Sequence, residues 1–293
     1  MSRLCRFAAV SLSKRWRICG ESPRKKSKSI PGKGYRVGAQ DIGGWRWITF
    51  ALCCFYFFIT VVFPLIIITL GSFLSYFGKF NLEIFNRMTL ENYPRVLNHP
   101  ALVEGFTNSI LLAVFAGAIC VLLAAVVGYV TMRTKIRGRG LLDAITMMPV
   151  AFPATVLGVA LLWAWVVVPL PICGTILILA VAYITRYVRI GLRTVSGGII
   201  QISEELEDSS KMSGASWLYT FRRIILPLMR PTLAAAWLIM FILFLRELAM
   251  SLILAGTGNP VATVVMFDYY QSGELPPMAA ASVLMITIMI LMV

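Results

Sequence analysis

Long apolar runs are the feature that most limits how this chain can fold. Several of these runs reach about 20 residues, the length that a helix needs to cross the hydrocarbon core of a bilayer. Within each run the apolar residues are continuous rather than alternating with polar ones, which favours spanning helices over spanning strands. Hydrophobic residues make up 59% of the chain, against roughly 45–50% in soluble domains, and the mean hydropathy is +0.82. The sequence therefore predicts an all-α integral membrane protein.

About six runs are predicted to cross the bilayer. They cover residues 47–73, 108–132, 141–168, 172–184, 231–255 and 277 onward. The fourth run is the weakest because it is short, although Tyr183 and Tyr187 could extend it while Arg186 and Arg189 reach back to the interface. In the second run, small residues spaced four apart predict close approach between helices within the bilayer.

Positive charge is concentrated in the segments on one side of these runs. The net charge is +14. The Lys and Arg residues gather in the ranges 1–45, 133–139 and 186–230, and the opposite segments hold only Lys79, Arg87 and Arg95. The positive-inside rule then places the N-terminus in the cytoplasm, with residues 1–45 as a basic tail, and the segment before residue 231 on the same side. This distribution along the runs also argues against nucleic-acid binding.

Residues that could carry catalysis or bind metal are sparse. The six cysteines form no disulfide framework, and His99 is the only histidine. The sequence shows no Cys/His cluster and no GxxxxGK[ST] loop for nucleotide phosphates. We therefore expect no metal, no cofactor and no catalytic activity in this chain.

A charged stretch at residues 204–231 predicts two short amphipathic helices joined at a glycine. Ser203 can N-cap the first helix, whose first turn carries acidic residues that the helix dipole favours. Gly214 permits a left-handed turn after it. Ser216 can cap the second helix, and Pro227 lies at the entry into the next apolar run.

This stretch resembles the EAA loop of the permease subunits of binding-protein-dependent ABC importers. The family pattern is Glu-Ala-Ala, three residues, Gly, nine residues, then Ile-x-Leu-Pro. Every position is filled at the family spacing, with Asp for the Glu and Ser for both Ala: Asp208, Ser209, Ser210, Gly214, Ile224, Leu226 and Pro227. Glu207 lies one place before the pattern. The resemblance implies that these eight residues couple the chain to an ATPase.

The resemblance also implies a fold and a division of the chain. It covers about residue 92 to the end, and implies about six transmembrane helices in the MetI-like ABC importer permease fold. Residues 46–104 would then form the first transmembrane helix and an outer segment. Residues 105–293 would form the permease core, with a cytoplasmic coupling loop at 194–230, and the last helix would continue past residue 293.

Partners follow from the same resemblance. A permease of this kind works in the plasma membrane, the inner membrane in bacteria, with nucleotide-binding subunits, a solute-binding protein outside and a second permease unit. That second unit could make a homodimer, a heterodimer or the other half of a fused chain. A secondary transporter or channel is the more distant alternative, but it would need no docking loop and would show inverted repeats, which the sequence lacks.

Two segments resemble permeases of the iron(III) type. One runs from Lys25 through GKGYR to the GGWRW at 43–47, and is similar to the linker between the halves of fused permeases. The other is Arg246-Glu247-Leu248. They favour iron(III) as solute and the second half of a fused permease as the chain's origin. Polyamine, thiamine and phosphonate importers share the architecture and stay open as alternatives.

Polar groups and prolines within the apolar runs are the candidates for the solute pathway: Arg246, Glu247, Ser251, Pro149 and Pro153. An ionisable residue inside a span marks a pathway or a buried ion pair. Neighbours on a helix point about 100° apart, so Arg246 and Glu247 are expected to find partners elsewhere. A structural ion pair, pathway lining and a position at the outer interface all stay open. Pro149 and Pro153 should kink their helix or line a cavity.

Overall fold

The computed structural model describes residues 43, 45–76, 88–134, 136–168, 174–256 and 258–293. The chain divides into two units, Met1–Cys54 and Phe55–Val293. Apart from Gly43 and Trp45, the predicted tail at 1–45 lies outside the described residues, and so does most of the linker-like segment.

The described residues are predominantly helical. In chain order the α-helices are α1 (Trp45–Phe57), α2 (Phe63–Ser72), α3 (Asn92–Leu97), α4 (Pro100–Leu111), α5 (Gly117–Arg133), α6 (Arg139–Met147), α7 (Ala154–Val167), α8 (Ile176–Gln201), α9 (Glu204–Met212), α10 (Trp217–Thr220), α11 (Leu226–Leu228), α12 (Arg230–Leu245), α13 (Ser251–Leu254), α14 (Ala262–Gln271) and α15 (Leu275–Met292). π-Helical turns at Phe58–Val62, Leu112–Ala116 and Phe221–Ile225 join neighbouring helices, and a 3-10 turn at Met148–Ala151 follows α6.

Three helices of the described chain are long and apolar enough to cross a membrane, and up to five spans result if each of two bent pairs counts as one. The three are Trp45–Ser72, Pro100–Arg133 and Leu275–Met292. The bent pairs are Arg139–Ala151 with Ala154–Val167, and Leu218–Leu228 with Arg230–Leu245. The all-α membrane fold is thus confirmed. A sixth span stays a prediction, and α8 is the helix to which it corresponds.

The third predicted span is not one helix. α6 and its 3-10 turn meet α7 at an angle of 110°. The break falls at Phe152, which is extended with φ −99° and ψ 142°. Pro153 follows it, and a residue before proline is driven out of the helical region by the ring. The kink expected from Pro149 and Pro153 is therefore present, and the predicted run 141–168 is a bent pair of helices.

The fourth helix is much longer than the predicted run 172–184. α8 extends over 26 residues and ends at Gln201. Its later turns carry Arg186, Arg189 and Arg193, whose charges ended the apolar run in the sequence but do not end the helix. The predicted loop boundary at 194 was consequently too early, because the connection between α8 and α12 begins only at Ile202.

The fifth predicted span, 231–255, is also interrupted. α12 ends at Leu245, residues 246–250 are not helical, and α13 resumes for a single turn at Ser251–Leu254. Arg246 and Glu247 therefore lie at the end of a helix rather than deep within one, which corrects the expectation from the sequence.

Small residues bring α5, α8 and α12 together at the centre of the second unit. Ala124 on α5 is fully buried, and a Cβ on Gly191 of α8 would lie 3.2 Å from its methyl carbon. A Cβ on Gly117 would lie 3.6 Å from the Cβ of Met240 on α12. Close approach at small residues of the second run is thus confirmed, and it is the packing mode that membrane helices favour.

Candidate functional site

The first arm of the predicted loop is helix α9. The Oγ of Ser203 accepts a hydrogen bond from the backbone N–H of Glu205 at 3.3 Å, which confirms the N-cap. Three acidic residues occupy the first turn, and Lys211 lies in the last turn. Both placements suit the helix dipole. Lys211 Nζ also lies 3.1 Å from Asp208 Oδ1, and this hydrogen bond raises the pKa of the lysine.

Gly214 ends this arm in the left-handed conformation that the sequence predicts. Its φ is +77°. The N–H of Gly214 bonds the carbonyl of Lys211 at 2.9 Å, and the N–H of Ala215 bonds the carbonyl of Ser210 at 3.1 Å. These two bonds form a Schellman motif, which satisfies carbonyls that the helix end leaves free. Within the described chain, a Cβ built at Gly214 would meet no heavy atom within 4 Å.

The second arm runs from α10 through a π-helical turn into α11. The backbone N–H of Tyr219 donates to the Oγ of Ser216 at 3.4 Å, as predicted for a cap. The two arms are tied together by Ser210 Oγ and Thr220 Oγ1, which lie 2.8 Å apart and are buried. The loop is thus one folded piece with a defined angle between its arms.

An open groove of about 810 Å³ separates the arms. Its lining combines small residues with a leucine, an isoleucine and a tyrosine: Leu206, Ser209, Ser210, Ser213, Gly214, Ala215, Ser216, Tyr219 and Ile224. Of the predicted coupling residues, Asp208, Ser209 and Gly214 are exposed, Ile224, Leu226 and Pro227 are half-buried, and Glu207 and Ser210 are buried.

Two residues that the sequence reasoning did not select fasten this loop to the helical bundle. Arg133, the last residue of α5, lies 3.3 Å from a carboxylate oxygen of Glu204 and 3.5 Å from one of Glu207. The hydroxyl of Tyr129, one turn earlier, donates to the other oxygen of Glu207 at 3.1 Å. The available signal was an arginine at the end of an apolar run, facing acidic residues in the loop.

The second group of candidates surrounds the break between α12 and α13. Glu247 is buried and accepts hydrogen bonds from the hydroxyl of Tyr187 on α8 and, at 3.2 Å, from the backbone N–H of Met250. Its carbonyl accepts from the Oγ of Ser251 at 2.6 Å and from the Oγ1 of Thr263 at 2.9 Å. The side chain and carbonyl of Glu247 thus hold the non-helical backbone in place.

The groups that donate hydrogen bonds to the Glu247 carboxylate are a hydroxyl and a backbone amide. In the described part of the chain no Lys or Arg lies within 4.0 Å of the Glu247 carboxylate, so the ion-pair alternative has no partner there. Ser251 is fully buried beside it, 2.6 Å from the hydroxyl of Tyr183. Arg246 is exposed. Pro149 and Pro153 belong to the bent α6–α7 pair instead.

A bundle of apolar helices joined to a capped two-arm loop defines a multi-span membrane transport component. The chain belongs to the family described as the binding-protein-dependent transport system inner membrane component, whose family model matches residues 119–293. The match includes the loop and the broken helix, and it confirms the resemblance drawn from the EAA pattern.

Individual relatives point the same way. The chain is 26% identical over 268 residues to the ferric transport system permease protein FbpB of Actinobacillus pleuropneumoniae. This alignment covers 89% of this chain and 38% of that protein. The chain therefore spans about two fifths of the length of this relative. It is 24% identical over 202 residues to the spermidine/putrescine transport system permease protein PotC of Haemophilus influenzae, covering 69% of this chain and 77% of the relative.

A solved structure shares the fold. A chain of the crystal structure of a bacterial alginate ABC transporter, in complex with an alginate pentasaccharide-bound periplasmic protein, aligns with a TM-score of 0.64. The alignment covers 85% of this chain and 93% of that chain at 14% identity. At that identity the likeness shows the fold alone.

Proposed function

We propose that this chain is the membrane-spanning subunit of an ATP-driven importer and that α9–α11 dock a separate nucleotide-binding subunit. The observation that carries the proposal is the open groove between two capped arms that meet at the left-handed Gly214. Its lining includes Leu206, Tyr219 and Ile224, so a helix of a partner can enter it with its apolar side against these three residues.

The burial pattern divides the coupling residues into two groups. Asp208, Ser209 and Gly214 face solvent and would contact the ATPase directly. Glu207 and Ser210 face the bundle and the second arm, so they would fix the shape of the docking surface instead. Ile224, Leu226 and Pro227 are half-buried between the groove and the start of α12, where they would pass movement to that helix.

The complete importer would contain further parts. Because ATP is cytoplasmic, the docking loop and the basic N-terminal tail would lie inside, in agreement with the distribution of Lys and Arg. A second permease unit would complete the pathway, either on another chain or on the same polypeptide. A solute-binding protein would deliver the solute from the opposite side.

We place the solute pathway beside the break at residues 246–250. Non-helical backbone is tolerated at membrane depth only where it is buried in protein or lines a cavity, and broken helices form the binding sites of many transporters. Arg246 is the exposed charge at this break, while Glu247 and Ser251 stabilise it from behind. The bend carrying Pro149 and Pro153 would form a second side of the pathway.

Iron(III) is the solute that we propose, because the alignment with a ferric permease covers most of this chain. A polyamine is the second candidate, favoured by the alignment with a spermidine/putrescine permease. The two solutes differ in charge density and in the ligands they require, so uptake assays separate them.

The test is reconstitution of the chain with its partner subunits in vesicles. We expect the ATPase subunit to co-purify with the permease, and ATP-dependent uptake of radiolabelled ferric iron to exceed that of spermidine. Uptake of spermidine alone would replace iron(III) by the polyamine assignment. Uptake that needs no ATPase subunit and follows an ion gradient would contradict the importer proposal itself.

A further inference from the structure

We infer that Arg133 is a positioning residue that locks the docking helix α9 to the transmembrane helices α5 and α8, so that these elements move as one body. The inference rests on the proposed function, because it assigns a role within ATP-driven coupling. It concerns a residue outside the EAA-like pattern.

The guanidinium group of Arg133 joins three helices. Its NH1 lies 3.3 Å from Glu204 and its Nε lies 3.5 Å from Glu207, both in the first turn of α9. Its NH2 donates to the carbonyl of Ile199 at 2.7 Å and to the carbonyl of Ile202, where α8 ends. Arginine is suited to this position because its planar group offers five donors in a fixed arrangement.

The contacts of Arg133 with α8 and α9 form what we call the joint, and the dipoles of both helices favour it. The last carbonyls of α8 have no partner within their own helix and carry partial negative charge, which a cation at that end offsets. The first turn of α9 carries partial positive charge, which its carboxylates offset. Arg133 lies between the two ends and bonds both sets of groups. Water screens the pair between Arg133 and Glu207 weakly, because both side chains are less than a tenth exposed. The Glu204 side chain is exposed, so its pair with Arg133 contributes less.

Tyr129 makes the joint two-sided. It lies one turn before Arg133 on α5, is buried, and donates to the second carboxylate oxygen of Glu207 at 3.1 Å. Its ring packs edge-to-face on Phe221 of the second arm, with 5.3 Å between the ring centroids. The end of α5 thus holds both arms of the loop, and Glu207 is gripped at both oxygens.

A loop fixed in this way transmits force instead of absorbing it. Any displacement that an ATPase imposes on Asp208 or Ser209 at the surface of α9 reaches α5 through Glu207, on the same helix and one or two residues away. Without Arg133, α9 could tilt at the short non-helical connection formed by Ile202 and Ser203 while α5 and α8 stay where they are. The ATPase would still bind, but its movement would not reach the spans.

The first experiment measures the distance between α5 and α9 in the parent and in a variant without Arg133. Nitroxide labels at Met132 on α5 and at Met212 on α9, both exposed, report the separation of the two helices in the reconstituted complex. We expect this distance to stay constant between the nucleotide-free and ATP-bound states in the parent. In Arg133→Gln it should broaden or change with nucleotide. A clear nucleotide-dependent change in the parent would overturn the inference.

The second experiment separates coupling from folding. Arg133→Gln is compared with Arg133→Lys and with Arg137→Gln, which removes an exposed arginine four residues further on. At matched permease amounts we expect Arg133→Gln to retain the ATPase subunit and ATP hydrolysis. Solute uptake per ATP should fall about tenfold, which lies within the range of typical coupling effects. Arg133→Lys should recover part of this loss, and Arg137→Gln should behave like the parent.

The outcomes distinguish a failure of the proposed function from a failure of the positioning role of Arg133. If the parent itself binds no ATPase, the proposed function fails. If the parent couples normally and Arg133→Gln does too, only the positioning role fails. A parallel loss of protein amount, ATPase binding and uptake in Arg133→Gln, together with a constant label distance in whatever variant protein remains, would assign Arg133 a purely structural role and overturn the inference.

Discussion

At the scale of single residues, two adjacent acids in α9 have opposite surroundings. Glu207 is buried against Arg133 and Tyr129, whereas Asp208 is exposed and, among the described residues, pairs with Lys211. Neighbours on a helix point about 100° apart, so the two carboxylates have different surroundings although they are adjacent in the chain. The sequence pattern identified both as coupling residues but could not divide their roles, because the division depends on where α5 ends.

Replacing Gly214 should uncouple the transporter without preventing its insertion. Gly214→Val places a β-branched side chain at φ +77°, and the left-handed conformation costs an L-residue about 1–2 kcal/mol. Gly214 also lines the groove, so an added side chain there would alter the docking surface. We expect near-normal amounts of permease in the membrane but loss of ATPase association and uptake, measured by pull-down and transport at matched permease amounts.

A second substitution separates strain from bulk at this position. Gly214→Asn adds a side chain of similar size, but Asn adopts the left-handed region far more readily than Val. If strain dominates, Gly214→Asn should retain most activity, and if groove filling dominates, both variants should fail. Normal ATPase binding and uptake in Gly214→Val would contradict the docking assignment of this turn.

At the scale of elements, the two breaks in the spans differ in whether the sequence predicts them. The break between α6 and α7 follows from Pro153 and could be predicted locally. The break after Leu245 could not, because residues 232–255 contain neither Gly nor Pro. It depends on hydrogen bonds that Glu247 makes with Tyr187 and with the backbone of Met250, and these need the packed position of α8.

The predicted end of the fourth helix was wrong for a related reason. The end of the fourth run was set at its first charged residues, yet α8 continues through three arginines to Gln201. Arg189 is partly compensated by an ion pair with Asp143 on α6. Hydropathy along the chain does not detect a charge that is paired by another helix, so the predicted loop began too early. The caps at Ser203 and Ser216 and the turn at Gly214 depend on local chemistry, and they were predicted correctly.

The contact between α8 and α12 supplies a prediction at the same scale. A Cβ on Gly198 would lie 2.6 Å from the side chain of Thr232, which is closer than packed atoms allow. Gly198→Ala should therefore separate the helices and destabilise the fold by about 1–3 kcal/mol, as overpacking does. The measurement is thermal unfolding of the purified protein in detergent.

Its control is the neighbouring glycine. Gly197→Ala introduces the same methyl group on the same helix, but meets no heavy atom within 4 Å in the described chain. It should leave the melting temperature unchanged or slightly raised, because alanine favours helix. Thr232→Ala should recover part of the loss in Gly198→Ala. Equal melting temperatures for the two alanine variants would show that the close approach is not essential.

At the scale of the whole molecule, the charge distribution and the helix order point to one orientation. The Lys and Arg residues concentrate in residues 1–45, 133–139 and 186–230, whereas the segment from Gly256 to Pro276 carries none. Cationic loops stay on the cytoplasmic side during insertion. Membrane class and family membership could be predicted from the sequence because hydropathy, charge and the EAA spacing are properties of the chain itself. Roles that depend on partners, such as solute choice, could not.

Labelling from each side of the membrane tests this orientation directly. In a background without the native cysteines, Met212→Cys at the end of α9 and Gln271→Cys at the end of α14 introduce single thiols at exposed positions. Both sites are the last residue of an α-helix, so their local reactivity is comparable. A thiol reagent that cannot cross the bilayer should modify Gln271→Cys in sealed, right-side-out vesicles and Met212→Cys only in inverted vesicles or after permeabilisation. The opposite sides are expected because α12 and the α13 turn separate the two positions, and the proposed ATPase would reach α9 from the cytoplasm. Labelling of Met212→Cys from outside in intact vesicles would place the docking loop away from ATP, and the importer proposal would then lose its physical basis.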